Sequence, residues 1–477
     1  MAYHDLRTFL QTLQREGQLL SIDEEVMPEP DLGSAGRAVS NLGEHSPALL
    51  FNHIYGYQNA RVAMNITGSW SNHALMLGLP KNTSVKEQFF EFARRFDQFP
   101  VAVERRETAP FQECQVSENI NLFELLPLFR LNKGDGGYYV DKACVISRDP
   151  SDPEHFGKQN VGIYRLQVKG PNRLGIQPVP QHDIALHLRM AEERGENLPV
   201  AIAIGCDPVI TTVAGTPLLY DQSEYEMAGA LQEEPYRIVH LNDCNLDVPW
   251  GAEVVLVGEI LAGVREFEGP FGEFTGHYSG GRSMPVIQIH RVYHRKNPIF
   301  EHLYLGMPWT EVDYMIGLNT SVPLYHQLKQ AYPDEIVAVN AMYTHGLVAI
   351  ISTKTRYGGF AKAVGMRALT TPHGLGYCKL VIVVDADVDP FNLPQVMWAL
   401  STKMNPKYDV VIIPELSVLP LDPGSEPAGI THKMILDATT PVAPERRGHY
   451  SQQLDSPPAT EKWERILRDL MQNTNAT

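Results

Sequence analysis

Apolar residues recur at Leu6, Phe9, Leu10 and Leu13, a helical spacing that Gly17 should end. Short β-type runs follow at 48–51 and 61–65, and the mixed-charge segment 84–96 reads as another helix. From about residue 122 the pattern turns to β-branched and alternating runs at 140–147, 161–169, 200–205, 253–261 and 286–293, bounded by Gly, Pro and Asp. With one or two helices between them, these runs predict a barrel or a strongly bent antiparallel sheet, not a doubly wound fold. The last third changes period. Strands at 336–340, 346–353, 380–385 and 410–414 alternate with helices at 360–369 and 393–403, which predicts a parallel α/β sheet. A polar, Pro-containing stretch follows Pro441, and 461–471 reads as a closing helix.

A chain of 477 residues exceeds the usual single core, so two or three domains are expected. Forty Lys and Arg against 56 Asp and Glu give a net charge of −16, which disfavours a nucleic-acid partner. No apolar run approaches the roughly 20 residues that span a bilayer. The N-terminal sequence also lacks the sections of a secretion signal, so a cytoplasmic protein is expected. Cys114, Cys144, Cys206, Cys244 and Cys378 are scattered and never form a C-x-x-C pair, and buried reduced thiols are the expectation.

Four places in the middle section can carry chemistry. Asn160 lies at the mouth of a strand candidate with Arg165 five residues on, either an anion clamp or a turn Asn and a surface Arg. His182 and His187 open a helix but are five apart, so they do not share a face as a zincin pair would. His182 alone is a polar helix-start residue or one ligand of a composite site. Ser223-Glu-Tyr-Glu226 has the form of a capping box, which leaves Glu224 for the helix dipole or for a cation. Glu268 and Glu273 lie in a segment, 268–281, with five glycines and one proline, too broken for regular structure. Such a loop can press two carboxylates of divergent pKa against a ligand, or be an exposed turn with ordinary acids.

Asn160…Arg165, Gln181-His182, Ser223-Glu224-Tyr225 and Glu268-Gly-Pro-Phe-Gly-Glu273, in that order, resemble the UbiD family of reversible decarboxylases. The resemblance extends over essentially the whole chain, including Asp385-Ala-Asp-Val-Asp389 and Lys433-Met-Ile-Leu-Asp-Ala-Thr439. It is greatest toward the large subunit of the phenolic-acid decarboxylases acting on 4-hydroxybenzoate and vanillate. It implies a multidomain α/β and α+β protein: an N-terminal α/β region (1–120), a central flavin-reductase-like split β-barrel (121–315) and a C-terminal α/β oligomerisation domain (316–477).

Family members use prenylated FMN, supplied by a separate flavin prenyltransferase. They hold its phosphate through manganese or magnesium, with potassium nearby. By motif position, Asn160, His182 and Glu224 would ligate the divalent metal, and mixed N/O ligation suits manganese. Asn160, Val161, Gly162, Ile163, Tyr164 and Arg165, with Gln181, His182 and Glu224, would line the cofactor, and Lys362 would reach its phosphate. Arg165, Glu268 and Glu273 would be the catalytic network, with Arg165 orienting the carboxylate and Glu273 protonating the ring carbon from a dry pocket. The implied reaction converts a hydroxyarylic acid to the phenol and carbon dioxide. A homo-dimer or homo-hexamer, small accessory subunits and hinge closure over a small aromatic acid are also implied. The alternatives are a decarboxylase of polyprenylated 4-hydroxybenzoate, a flavin-binding oxidoreductase, and a silent cofactor-binding scaffold.

Overall fold

The computed structural model describes residues 3–445 and 452–474. The first helix, Leu6–Arg15, buries the four apolar residues of its predicted face; Asp5 caps its start and Gly17, at φ +70°, follows its end. Strands Leu19–Ile22, Ala48–Phe51 and Arg61–Met64 form a four-stranded sheet. Its fourth member, Ile299–His302, comes from far along the chain and runs parallel to Arg61–Met64. The N-terminal part is therefore completed by a strand of the middle section.

The central sheet has nine strands, and its neighbours pair antiparallel. Its order is Tyr139–Val140, Leu166–Gly170, Arg173–Ile176, Arg282–His294, Val254–Glu268, Leu198–Ile204, Ala143–Arg148 and Gln159–Ile163, with Cys114–Val116 beside Arg282–His294. The bent antiparallel sheet is thus present, but no hydrogen-bonded ring closes it among the described residues.

Two short crossings bring its ends together. Asp141 and Lys142 link Val140 at one end to Ala143 near the other; Tyr164 and Arg165 link Ile163 to Leu166. The run 161–169, read as one strand, is therefore two strands at opposite ends of the sheet. Its apolar pattern runs on, but the partners change: Ile163 pairs with Cys144, whereas Leu166 pairs with Val140 and Ile176.

The C-terminal sheet orders Ile336–Tyr343, Val348–Thr353, Leu380–Asp385, Ile430–Ala438 and Val410–Ser417. Only its central three strands are parallel, so the expected parallel sheet is a mixed one. The difference has two sources: Ile336–Tyr343 and Val348–Thr353 pair as an antiparallel hairpin, and Ile430–Ala438, not predicted as a strand, separates Val410–Ser417 from Leu380–Asp385 and pairs antiparallel with the former. Helix Glu311–Lys329 was also not predicted. It is buried around nearly its whole circumference and so lacks the one-sided stripe that marks a surface helix. The closing helix is Thr460–Thr474. Part of the polar stretch after Pro441, residues 446–451, lies outside the described residues. Among those described, no helix is long and apolar enough to cross a membrane.

Lys142 sits fully buried in the first crossing, its Nζ 2.6 Å from both Glu301 and Glu311. Glu301 belongs to the strand shared with the N-terminal sheet, and Glu311 opens the long helix. Glu311 also accepts the Thr67 N–H at 2.9 Å. One ammonium thus joins three parts of the chain. Lys142→Met leaves two buried carboxylates without their cation and should cost about 3–5 kcal/mol. Chemical denaturation measures this, and a loss well under about 1 kcal/mol would remove the cluster as a keystone.

Candidate active site

The segment 269–281 joins the two longest strands of the central sheet, Val254–Glu268 and Arg282–His294. It is pinned rather than loose. Asp135 accepts the Gly272 N–H at 2.8 Å, Gly136 donates to the Pro270 carbonyl at 2.7 Å, and Gln167 donates to the Gly136 carbonyl at 3.1 Å. Gly269 takes φ +94°, a conformation other residues rarely adopt. These contacts present Glu268 and Glu273 to Arg165 at the second sheet crossing.

Arg165 binds Glu268 through two parallel bonds, Nε to Oε1 at 3.0 Å and Nη2 to Oε2 at 2.6 Å. Its third nitrogen, Nη1, is bonded to Glu273 and to Ser279 Oγ, the latter at 3.0 Å. The Phe271 ring lies 5.3 Å from the guanidinium. All three charged residues are buried. Glu268 lies behind the arginine, whereas Arg165 and Glu273 line a cavity of about 370 Å³. Burial pushes Glu273 up to about 7, against the pull of Arg165. Burial wins because the guanidinium already gives two bonds to Glu268.

Asn160, Val161, Gly162, Ile163, Tyr164, Gln181, His182 and Glu224 line the same cavity. Tyr164 folds back over Gly162, where a Cβ would collide with the phenol. Its hydroxyl receives the Asn160 amide at 3.3 Å, and its ring lies 5.2 Å from that of His182. Glu224 accepts the Val161 N–H at 3.2 Å. His182 and Glu224 stand at the N-terminal ends of helices Asp183–Glu193 and Glu224–Gln232, whose dipoles favour an anion there. Burial pushes His182 down to about 4, the neutral form a metal needs. Burial pushes Glu224 up to about 8, with Asp183 adding to the rise, as suits a carboxylate buried where a cation belongs.

The predicted Ser223–Glu226 capping box is not formed. Ser223 makes no side-chain cap, and its buried Oγ has no partner. Among the described residues, no group of three His, Cys, Asp or Glu side chains could hold a metal unaided. An amide oxygen and an external phosphate would complete the set, so the residues present fit a phosphate-bound divalent cation. Lys362, expected to reach the phosphate, is not among the residues lining this cavity; it lies on helix Phe360–Thr370 with its Nζ 3.9 Å from Asp409. Sequence reasoning missed Asp135 and Gln167, which hold the loop, and His345, His373 and Tyr377, which line the cavity from the C-terminal part. For His345 the signal was a histidine beside Gly346 at the break between two apolar runs.

The class of the protein follows from its comparison with known families. Models of the N-terminal, Rift-related and C-terminal domains of 3-octaprenyl-4-hydroxybenzoate carboxy-lyase match residues 10–91, 102–308 and 313–438. The chain belongs to the UbiD family of decarboxylases. Within it, the chain is 79% identical to the phenolic acid decarboxylase of Bacillus subtilis (strain 168), over 99% of this chain and 100% of that one. The vanillic acid decarboxylase of Sedimentibacter hydroxybenzoicus (ShVdcCD) in closed form is 55% identical with a TM-score of 0.93, covering 99% of both chains. An evolved dimeric form of the UbiD-class enzyme HmfF from Pelotomaculum thermopropionicum, in complex with prFMN, is 30% identical with a TM-score of 0.81. That match covers 96% of this chain and 98% of the other.

The raised value of Glu273 makes a pH prediction. Between its ordinary value of 4.5 and about 7, the folded protein keeps a proton that the unfolded chain has lost. The stability this proton contributes is complete below the ordinary value and is lost as pH rises through about 7. Glu273→Gln should therefore flatten the decline of stability across this window. An unchanged slope in a denaturation series would mean that Glu273 ionises normally.

Proposed function

We propose that the protein is a prenylated-FMN-dependent decarboxylase of hydroxyarylic acids of the 4-hydroxybenzoate, vanillate or protocatechuate type. The observation that carries this reading is Arg165, bonded to both Glu268 and Glu273, in a cavity also lined by Asn160, His182 and Glu224. The similarity to phenolic and vanillic acid decarboxylases supports the substrate class, and the similarity to HmfF with prFMN supports the cofactor.

Asn160, His182 and Glu224 would hold manganese or magnesium against the phosphate, with potassium nearby. Residues 160–165 and Gln181 would line the flavin. When bound, prenylated FMN supplies the electron sink for the carbon that loses its carboxylate. Arg165 orients the substrate carboxylate by its planar fork, and Glu268 holds that fork in place. As carbon dioxide departs, Glu273 delivers its proton to the vacated ring carbon and is recharged from solvent. A carboxyl pushed up to about 7 can be protonated before the step and ionised after it.

The curled central sheet is the split β-barrel of this reading, 121–315, to which Cys114–Val116 of the preceding region adds one strand. The region 1–120 packs on it, and 316–477 covers the cavity and mediates a homo-dimer or homo-hexamer. Partners are a flavin prenyltransferase and a small accessory subunit; similarity to the ShVdcCD assembly favours the latter. The setting is cytoplasmic, in keeping with five free cysteines. A second reading, decarboxylation of polyprenylated 4-hydroxybenzoate, is favoured by the substrate in the family models' description. Ordinary flavin redox chemistry has no use for a pair of buried acids on one arginine.

The deciding experiment is a decarboxylation assay on protein produced with and without a flavin prenyltransferase. It uses manganese and potassium with 4-hydroxybenzoate, vanillate and protocatechuate. Turnover only in the co-expressed sample is expected; flavin bound without turnover of any phenolic acid would move the assignment to the polyprenylated substrate. Glu273→Gln should keep the flavin yet lose about 10²–10⁴-fold in turnover and in ring-proton exchange, and wild-type rates in this variant would remove the acid. For His182→Ala we expect metal and flavin content to fall together, and full manganese occupancy would take it out of the ligand set.

A further inference from the structure

The cavity is also lined by polar side chains of the C-terminal part that the chemistry above does not use. His373, in helix Pro372–Gly376, is 2% exposed, and neither of its ring nitrogens has a partner. His345, on the turn between Ile336–Tyr343 and Val348–Thr353, has an unpartnered Nδ1. Both residues line the cavity. They are neighbours: a Cβ on Gly346 would sit 3.0 Å from His373 Nε2. Tyr377 bridges them, its ring stacked 5.1 Å from His373 and 5.2 Å from His345. The His345 ring in turn lies 5.0 Å from that of Phe274, the residue after the proposed acid.

This lining is built. Thr344, His345 and Gly346 all take positive φ, at +49°, +56° and +78°, a costly turn that presents the His345 ring. Lys433, itself buried, donates to the carbonyls of Gly374 at 2.9 Å and Leu375 at 2.8 Å and fixes the helix carrying His373. The Thr371 hydroxyl accepts the Gly374 N–H at 2.9 Å at the other end of that helix.

Leaving buried polar atoms unpaired costs about 1–3 kcal/mol each, so such atoms facing a cavity mark the place of a ligand group. Burial pushes His373 down to about 4, so its imidazole is neutral. Neutral imidazoles offer one donor and one acceptor each. A carboxylate or phosphate can satisfy only the donor, whereas a hydroxyl satisfies both.

We propose that His373 and His345 form the site that reads the phenolic hydroxyl of the substrate, while Arg165 takes its carboxylate. This rests on the hydroxyarylic-acid reading and deepens it. Lys433 is a positioning residue, acting through the helix it caps.

The test measures equilibrium binding of 4-hydroxybenzoate and 4-methoxybenzoate to holoenzyme in a Glu273→Gln background, which prevents turnover. The parent should prefer the hydroxyl compound by about ten- to hundredfold, as expected for a buried site built to pair with a hydroxyl. His373→Leu should bring that ratio toward one with bound flavin and thermal midpoint retained, and His373→Gln should recover part of it. A ratio unchanged in both His373→Leu and His345→Leu overturns the inference, as does a parent without preference. Loss of flavin with an unchanged ratio would assign the pair to the cofactor instead. Turnover of phenolic acids by the wild type is measured alongside. Turnover with an unchanged ratio defeats this inference alone, whereas no turnover defeats the broader reading while the binding ratio still decides the histidines' role.

Discussion

Between Val140 and Ala143 the chain steps from one end of the central sheet to the other, and Lys142 in that step meets two carboxylates in a fully buried position. Burial works against its charge, but Glu301 and Glu311 more than offset this and hold its pKa above the ordinary value. The cluster still carries one acid too many for one ammonium. Burial pushes Glu301 up to about 7, with Lys142 opposing the rise and Glu311 adding to it. Such an arrangement is expensive, and its use is geometric. It fixes the first crossing of the seam, and Asp141 beside it accepts the Leu303 N–H at 3.0 Å and pairs with His302. The second crossing, Tyr164–Arg165, completes the same seam, so the arginine of the active site inherits its position from the closure of the sheet.

The two acids on Arg165 show how one guanidinium can separate the behaviour of chemically identical groups. Glu268 ends a long strand, is wholly buried and takes the two parallel bonds, leaving it no face toward the cavity. Glu273 lies in the loop, shares a single guanidinium nitrogen with Ser279 and faces the cavity. Position therefore gives the two acids different surroundings: Glu268 is held behind the arginine, and Glu273 faces the cavity. The glycines of 269–281 permit this close folding, but the placement comes from Asp135, Gly136 and Gln167, residues outside the loop.

How much of this could be read beforehand follows from the range of each signal. Local periodicity found Leu6–Arg15, Phe360–Thr370 and Leu380–Asp385, because each carries its pattern within one element. It failed at 161–169, where the strand pattern continues while the partners change, since pairing is non-local. It also failed at Glu311–Lys329, buried on nearly all sides, and at Ile430–Ala438, whose buried positions include the polar Thr431, Lys433 and Asp437 and so carry no apolar alternation. For the site, ordered motifs brought out Asn160, Arg165, His182, Glu224, Glu268 and Glu273, and the fold gathers them around one cavity and its supporting arginine. Lys362 does not line that cavity. His345 and His373 were invisible because single histidines in the C-terminal part acquire meaning only when that part closes against Phe274 and Gln181.

The cavity thus has walls with different mechanical origins. Its proton-handling side is built into the seam of an antiparallel sheet, tied by charged bonds to three segments of chain. Its C-terminal side is a strained turn and a five-residue helix whose end is held by one buried lysine. A change there disturbs few partners, whereas a change at Arg165 disturbs Glu268, Glu273, Ser279 and the Phe271 ring together. Among the described residues, the C-terminal wall meets the arginine side through ring contacts of Phe274 and Tyr377 rather than through ion pairs, so the two walls are held by separate sets of bonds.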